Sequence, residues 1–118
     1  MKKILIFGAG SIGNHMAFAC RKLGYDVCVI DKDQMALNRM KKKIYPKRYG
    51  KWDNNIRTFK FNKILSYNLT YDLVIIGTPP STHLNIYNYC KKRISFNKIL
   101  IEKPLFHIME KKLDSFKR

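Results

Sequence analysis

The chain has 118 residues, 46% of them hydrophobic, so it is long enough for one domain with its own core and too apolar for intrinsic disorder. It carries 24 Lys and Arg against 8 Asp and Glu, and this net charge of +16 favours anionic partners such as nucleotides, nucleic acid or acidic lipid. No apolar run approaches the roughly 20 residues of a transmembrane helix, and the three scattered cysteines have no metal-binding spacing. We therefore expect a cytoplasmic protein with no membrane partner and no metal site.

The first half of the chain alternates between strand and helix patterns. Residues 2–7 form a continuous apolar run that is typical of a strand buried on both faces of a parallel sheet. Residues 11–23 have helical spacing, and a second strand and helix are predicted over residues 26–31 and 34–43. The apolar stripe of the first helix consists of Ile12, Met16, Ala19, Cys20 and Leu23. Residues 44–55 contain Pro, Gly and two Asn, which predicts a loop.

The second half continues the same alternation. It predicts strands at 56–61, 72–77 and 98–102, a turn or short helix at 63–68, a helix at 81–93 capped by Ser81 or Thr82, and a last helix from Leu105. Strands and helices at this spacing form βαβ units. The pattern therefore predicts an α/β fold with a doubly wound parallel sheet, in three α/β/α layers and a single domain.

A glycine-rich motif lies directly between the first strand and the first helix. Its residues match the pattern G-x-G-x-x-G and include Gly8, Gly10, Ser11, Ile12 and Gly13. In this context Gly8 allows a tight turn, Gly10 lets the backbone approach a pyrophosphate, and Gly13 lets the helix pack close to the strand. The first N–H groups of the helix then face the phosphates. The motif predicts a Rossmann-type, dinucleotide-binding domain.

Asp31 ends the second predicted strand, eighteen residues after Gly13, close to the spacing of about 20 at which the fingerprint expects an acid. A carboxylate at this position accepts hydrogen bonds from the adenosine ribose and repels the 2′-phosphate of NADP, so NAD is the favoured cofactor. The cation of Lys32 offsets part of that repulsion and leaves NADP as the alternative. Asp33 is better suited to cap the following helix.

Two further segments follow predicted strands, where open α/β sheets bind ligands. They are Gly-Thr-Pro-Pro-Ser-Thr-His at 77–83 and Glu-Lys-Pro at 102–104. Together with the glycine motif they resemble the N-terminal domain of the Gfo/Idh/MocA oxidoreductases, which include glucose-fructose oxidoreductase and inositol dehydrogenase. The resemblance runs from Lys2 to about Leu105, and Glu-Lys-Pro is its most specific part.

The resemblance implies roles for six residues. Thr78, Pro79 and Pro80 would line the cofactor beside the adenosine and ribose, and His83 would open the next helix near the nicotinamide. Glu102 would contact the region of the nicotinamide ribose, and Lys103 would face the substrate hydroxyl as a proton-transfer or orienting group. The substrate would be a sugar, a cyclitol or a related polyol.

Members of that family continue into a second domain that supplies most substrate contacts. We therefore expect residues 1–105 to form the cofactor-binding core and residues 106–118 to begin the connection to a substrate domain, so that this chain alone is not catalytically complete. A stand-alone, non-catalytic dinucleotide-binding or sensing module is the alternative. Apolar side chains after residue 105 would favour a homo-oligomer if they are exposed.

A third hypothesis concerns the bases of residues 39–51, here called the basic cluster. Its cations are Arg39, Lys41, Lys42, Lys43, Lys47, Arg48 and Lys51, and they are interleaved with Tyr45, Tyr49 and Trp52. Such a mixture binds nucleic acid through phosphates and stacking. Because no nucleic-acid motif accompanies it, the favoured interpretation is a solvated helix end followed by a loop.

Overall fold

Parallel strands and their crossover helices make up the part of the chain that the computed structural model describes, residues 1–61 and 70–101. The strands are β1 (Lys3–Phe7), β2 (Asp26–Asp31), β3 (Arg57–Lys60), β4 (Thr70–Ile76) and β5 (Ser95–Ile101). The helices are α1 (Ser11–Lys22), α2 (Gln34–Arg39), α3 (Tyr45–Tyr49) and α4 (His83–Arg93). The sheet has the order β3-β2-β1-β4-β5 with every pairing parallel, so the predicted α/β fold is confirmed.

The register of the sheet brings the carboxyl ends of the central strands together. Phe7 at the end of β1 pairs with Ile30 of β2 on one side and with Ile76 of β4 on the other. Each of these three positions is followed by a segment that the sequence singled out. The glycine motif, Asp31 and residues 77–83 therefore meet at one edge of the sheet.

Alternate residues of the central strands pack into two separate hydrophobic cores, one on each face of the sheet. Ile4, Ile6, Val27, Val29 and Ile75 pack with buried side chains of α1, α2 and α3. Leu5, Phe7, Cys28, Ile30 and Val74 pack with Cys90 and neighbouring side chains of α4. The continuous apolar runs are thus explained by a sheet that is covered on both faces, in the three layers predicted.

The helix after β2 is longer than predicted, and the expected loop over 44–55 is wrong in its first half. A π-helical turn (Met40–Ile44) joins α2 to α3, so helical structure runs on to Tyr49. Tyr45 is buried and contacts Phe18 and Trp52 edge to face, which stabilises the extra helix. Pro46 lies in the first turn of α3, directly after the π-helical turn, and its ring fixes the backbone φ in the helical range.

Smaller differences concern helix faces and caps. The buried residues of α1 are Gly13, Asn14, Ala17 and Cys20, whereas Leu23 of the predicted stripe is 65% exposed. Thr82 occupies the N-cap position of α4, as predicted, but its side chain makes no capping hydrogen bond and donates instead to Pro79, across the 3₁₀ turn (Pro80–Thr82). Asp33 does cap α2, where its carboxylate accepts the N–H of Met35 at 2.9 Å.

The strand predicted at 98–102 begins earlier, at Ser95, and pairs with β4 along its length. The predicted turn or helix at 63–68 and the last helix from Leu105 lie outside the described residues. Among the helices that are described, none is long and apolar enough to span a membrane.

Candidate dinucleotide-binding site

The three glycines of the motif meet different surroundings. Gly8 has φ +108°, a backbone conformation that residues with a side chain rarely adopt. A Cβ at Gly13 would overlap the carbonyl oxygen of Gly8, so only glycine allows α1 to approach the strand this closely. A Cβ at Gly10 would have no atom within 4 Å. Gly8 and Gly13 are therefore required for the backbone conformation and for the packing of α1, whereas Gly10 leaves an open surface at the start of α1.

Asn14, which is not among the predicted site residues, holds this loop from inside α1. Its side chain is fully buried, and Nδ2 donates to the carbonyl oxygens of Ala9 at 3.0 Å and Gly10 at 2.7 Å. A buried amide with two good hydrogen bonds fixes the peptide groups it bonds. The available signal was a polar residue directly after the last glycine of the motif, on the face of the helix that packs on the sheet.

Asp31 connects the glycine loop to the β2–α2 turn. Its Oδ2 atom accepts the N–H of Ala9 at 2.9 Å, and Oδ1 accepts the N–H of Asp33 at 2.9 Å. Each carboxylate oxygen has a second lone pair, so both can still accept a hydroxyl group. The carboxylate is therefore held in place by the backbone and remains able to bind a ligand.

A cavity of about 480 Å³ opens beside Asp31 at the carboxyl edge of the sheet. Its lining includes Ile30, Asp31 and Lys32 at the end of β2, Phe61 after the neighbouring strand β3, and Thr78 and Pro79 after β4. An apolar floor with a few polar groups at the rim is typical of small-ligand pockets of this size. The structure thus brings four predicted site residues, Asp31, Lys32, Thr78 and Pro79, to one cavity.

Hydrogen bonds shape the turn after β4. His83 is 1% exposed, and its Nε2 atom donates to the carbonyl oxygen of Thr78 at 2.7 Å. The hydroxyl of Thr82 donates to the carbonyl oxygen of Pro79 at 2.7 Å. His83 opens α4 as expected, but it lies under the turn and holds the backbone of Thr78. Pro80 begins the 3₁₀ turn of the same segment.

Two predicted site residues, Glu102 and Lys103, lie outside the described residues. β5 ends at Ile101, directly before them in the chain. Within residues 1–61 and 70–101, no group of three His, Cys, Asp or Glu side chains could hold a metal ion.

The aromatic residues of the basic cluster belong to the core. Tyr45 is 4% exposed, and the ring of Tyr49 stacks on Phe18 with centroids 4.3 Å apart. Trp52 meets Tyr45 edge to face at 5.0 Å. Because these rings pack against one another and against Phe18, they do not form a platform on which bases could stack.

The parallel sheet, the glycine loop and the acid at the end of β2 together define an NAD(P)-binding domain of the Rossmann type, as found in dehydrogenases and reductases. A family model, that of the 3-hydroxyacyl-CoA dehydrogenase NAD-binding domain, matches residues 3–67. This match covers more than half of the chain, and the chain belongs to that family. The segments 77–83 and 102–104, on which the Gfo/Idh/MocA resemblance depends, lie beyond the matched residues.

Solved structures confirm the fold. The chain is similar to a 2-dehydropantoate 2-reductase from Enterococcus faecalis, with 23% identity and a TM-score of 0.67 over 98% of this chain and 37% of that one. It is similar to a diketoreductase with 24% identity and a TM-score of 0.60 over 86% of this chain and 40% of that one. It is similar to S. aureus TarJ, solved with NADPH, with 17% identity and a TM-score of 0.60 over 97% of this chain and 34% of that one.

The chain thus spans between 34% and 40% of the length of these three structures. A comparison with curated proteins finds no match.

Proposed function

We propose that this domain binds NAD(H) and presents its nicotinamide for hydride transfer to or from a carbon that bears an oxygen. The observation that carries the proposal is the Asp31 carboxylate, which lines the cavity and is anchored by two backbone N–H groups. A fixed carboxylate at the end of β2 selects a ribose with free hydroxyl groups. Bound NAD supplies the hydride acceptor, and NADH the donor.

The adenosine half of the cofactor fits the cavity beside Asp31. In this proposal the adenine lies between Ile30 and the Thr78–Pro79 turn, and the ribose hydroxyls donate to the Asp31 carboxylate. A 2′-phosphate would meet that carboxylate, and the exposed Lys32 next to it offsets only part of the repulsion. NAD is therefore the expected cofactor and NADP the weaker ligand.

The pyrophosphate fits the start of α1. Gly10 leaves the space, and the first N–H groups of the helix, at Ser11 and Ile12, have no partner within the helix. The first turn contains no acidic residue that would repel an anion, and no side chain caps it. These N–H groups and the helix dipole would then hold the phosphates.

The remaining predicted residues complete the proposal at the nicotinamide end. Pro80 would keep the turn after β4 in shape, and His83 would hold it through Thr78. Glu102, directly after β5, would contact the nicotinamide ribose. Lys103 would be the catalytic residue that orients the substrate hydroxyl or exchanges its proton.

Two substrate classes are candidates. The Gfo/Idh/MocA resemblance favours a sugar, cyclitol or related polyol, whereas the matched family is named for 3-hydroxyacyl-CoA. Both present a secondary alcohol to the nicotinamide. In either case residues 1–105 would form the cofactor core and 106–118 the start of a connection to a substrate domain. The greater length of the similar structures supports this arrangement.

Calorimetric titration of the 118-residue chain with NADH and NADPH tests the proposal. We expect NADH to bind more tightly than NADPH, and Asp31→Ala to weaken NADH binding sharply. Failure of the chain to bind either cofactor would overturn the proposal. A parallel assay supplies NAD with a polyol or a 3-hydroxyacyl-CoA and follows the NADH formed. Turnover of one class would identify the substrate class, whereas binding without turnover is the result expected of a cofactor module alone.

A further inference from the structure

We propose that Arg48 is a cofactor-binding residue, whose guanidinium pairs with the pyrophosphate at the start of α1. The inference rests on the proposed function, because that function places the pyrophosphate beside Gly10 and Ser11. The dinucleotide site itself follows from the family of the domain. What the structure adds is a cation from a distant part of the chain.

The contact that locates Arg48 joins α3 to the first residue of α1. Its Nη1 atom donates to the hydroxyl of Ser11 at 2.6 Å, although the two residues are 37 positions apart. Ser11 is the first residue of α1 and is exposed next to the open surface at Gly10. A guanidinium has five N–H donors, and this is the one hydrogen bond of Arg48 within the described part of the chain. The remaining donors are available to a ligand.

Aromatic packing between α3 and α1 sets the position of Arg48. The neighbouring residue, Tyr49, stacks on Phe18 of α1 with an angle of 10° between the ring planes. The hydroxyl of Tyr49 also lies 3.3 Å from Nδ1 of His15. These contacts fix α3 alongside α1, so the backbone of Arg48 is held near the first turn of α1 whether or not a ligand is bound.

The electrostatics of this arrangement favour an anion. The start of a helix carries a partial positive charge, and a cation placed there without a counter-ion is unfavourable. Arg21 and Arg57 each pair with a carboxylate, at 2.8 Å and 3.1 Å, whereas Arg48 has no carboxylate partner among residues 1–61 and 70–101. A pyrophosphate would supply the missing charge, and guanidinium–phosphate pairs are strong because two N–H groups can bond at once.

The position also distinguishes the pyrophosphate from the 2′-phosphate of NADP. Asp31 marks the ribose and bonds the loop at Ala9, on the β2 side. Arg48 bonds the loop at Ser11, where the helix has begun. We therefore assign Arg48 to the phosphates that NAD and NADP share.

The test compares Arg48→Gln with Arg39→Gln, which removes the same charge from an exposed position on α2. The ligands are NADH, NADPH, ADP, 2′-AMP and adenosine, titrated by calorimetry. We expect Arg48→Gln to bind NADH, NADPH and ADP about tenfold more weakly and adenosine unchanged, since only the first three carry the pyrophosphate. Arg39→Gln should stay within about twofold of the parent chain for every ligand.

Thermal unfolding without ligand gives a second readout. Removing a cation from a helix start should leave the midpoint unchanged or raise it, whereas loss of a structural contact would lower it. Equal NADH affinity in the two variants would overturn the inference, as would a loss confined to NADPH and 2′-AMP, or a lowered midpoint with weaker adenosine binding. If the parent chain binds no nucleotide, the proposed function falls and the inference with it.

Discussion

The carboxylate of Asp31 accepts a hydrogen bond from the backbone N–H of Ala9 at 2.9 Å, across 22 residues of chain. Asp31, which would bind the adenosine ribose, thus also holds the glycine loop that would bind the phosphates. Its second oxygen is bound in turn to the N–H of Asp33. Changes at Asp31 should therefore affect both the selection of the cofactor and the position of the glycine loop.

Asp31→Asn should weaken NADH binding about tenfold and narrow the difference between NADH and NADPH. The amide keeps the volume of the side chain, but it loses the charge that repels the 2′-phosphate and one of the two acceptors. Asp33→Asn is the matched control, because asparagine caps a helix as well as aspartate does and the charge change is the same. Calorimetry with both cofactors measures the ratio. An unchanged ratio in Asp31→Asn would contradict the assignment of this residue to the ribose.

Gly10→Ala and Gly13→Ala should separate binding from folding. A methyl group at Gly10 meets no atom within 4 Å, so the free energy of unfolding should fall only by about 1 kcal/mol, the cost of alanine in place of glycine at the N-cap of α1. The same group occupies the surface where the pyrophosphate would lie, and NADH binding should fall. At Gly13 it overlaps the Gly8 carbonyl oxygen, and the domain should lose about 3 kcal/mol or more. Urea unfolding and NADH titration of both variants check this contrast, and equal stability losses would refute it.

Asn14→Ala should lower the free energy of unfolding by about 1–3 kcal/mol, because it removes the buried amide donor from the carbonyl groups of Ala9 and Gly10. Of these two carbonyl groups, only that of Gly10 keeps another bond, to the backbone N–H of residue 14. Asn14→Asp should be worse, since a carboxylate would then face those two carbonyl oxygens. Asn38→Ala is a suitable control on an exposed position of α2. Urea unfolding curves give the comparison. If Asn14→Asp proved more stable than Asn14→Ala, the assigned direction of the amide would be wrong.

Much of the fold could be predicted from the sequence because its signals are local. Residues 26–31 were predicted as a strand with the bounds observed, and the glycine motif lies where the strand–helix pattern indicated. The helix over Tyr45–Tyr49 was missed because Pro46 and Gly50 are typical of loops, while the burial that stabilises the helix comes from Phe18, on another element.

In the candidate site, too, some residues could be predicted from local sequence signals and others depend on contacts between elements. Asp31 and the motif glycines are predicted from spacing along the chain, and the structure places them at the same edge of the sheet. The bond between Arg48 and Ser11 depends on how α3 packs against α1, which no spacing in the sequence indicates. His83 was expected near the nicotinamide, but its bond to Thr78 requires the 3₁₀ turn that brings the ring under the backbone.

The stability of the domain should fall between about pH 9 and pH 12. Burial raises the pKa of the thiols of Cys28 and Cys90 from 9.0 to about 12. In the unfolded chain these thiols ionise near pH 9, whereas the folded protein keeps them protonated. The unfolded state therefore binds fewer protons in this range, and the free energy of unfolding decreases as the pH rises, by at most about 1.4 kcal/mol per pH unit for each thiol.

Urea unfolding at pH 8, 9.5 and 10.5 measures this slope. The double variant Cys28→Ala/Cys90→Ala should show a smaller slope than the parent chain, which separates the thiols from the other groups that ionise at high pH. A thiol reagent at pH 8 should modify neither cysteine until the protein is unfolded. The same slope in both proteins would contradict the effect of burial.

The π-helical turn at Met40–Ile44 contains one residue more than an α-helical turn would, so it rotates everything after it by one position around the helix axis. In an uninterrupted helix, residues 44 and 48 would share the face of Leu37. With the extra residue, Tyr45 and Tyr49 take that inner face and Arg48 moves to its edge, beside Ser11. Deleting a single residue such as Lys42 would let this turn close as a regular α-helix, while Tyr45, Arg48 and Tyr49 keep the faces they have now.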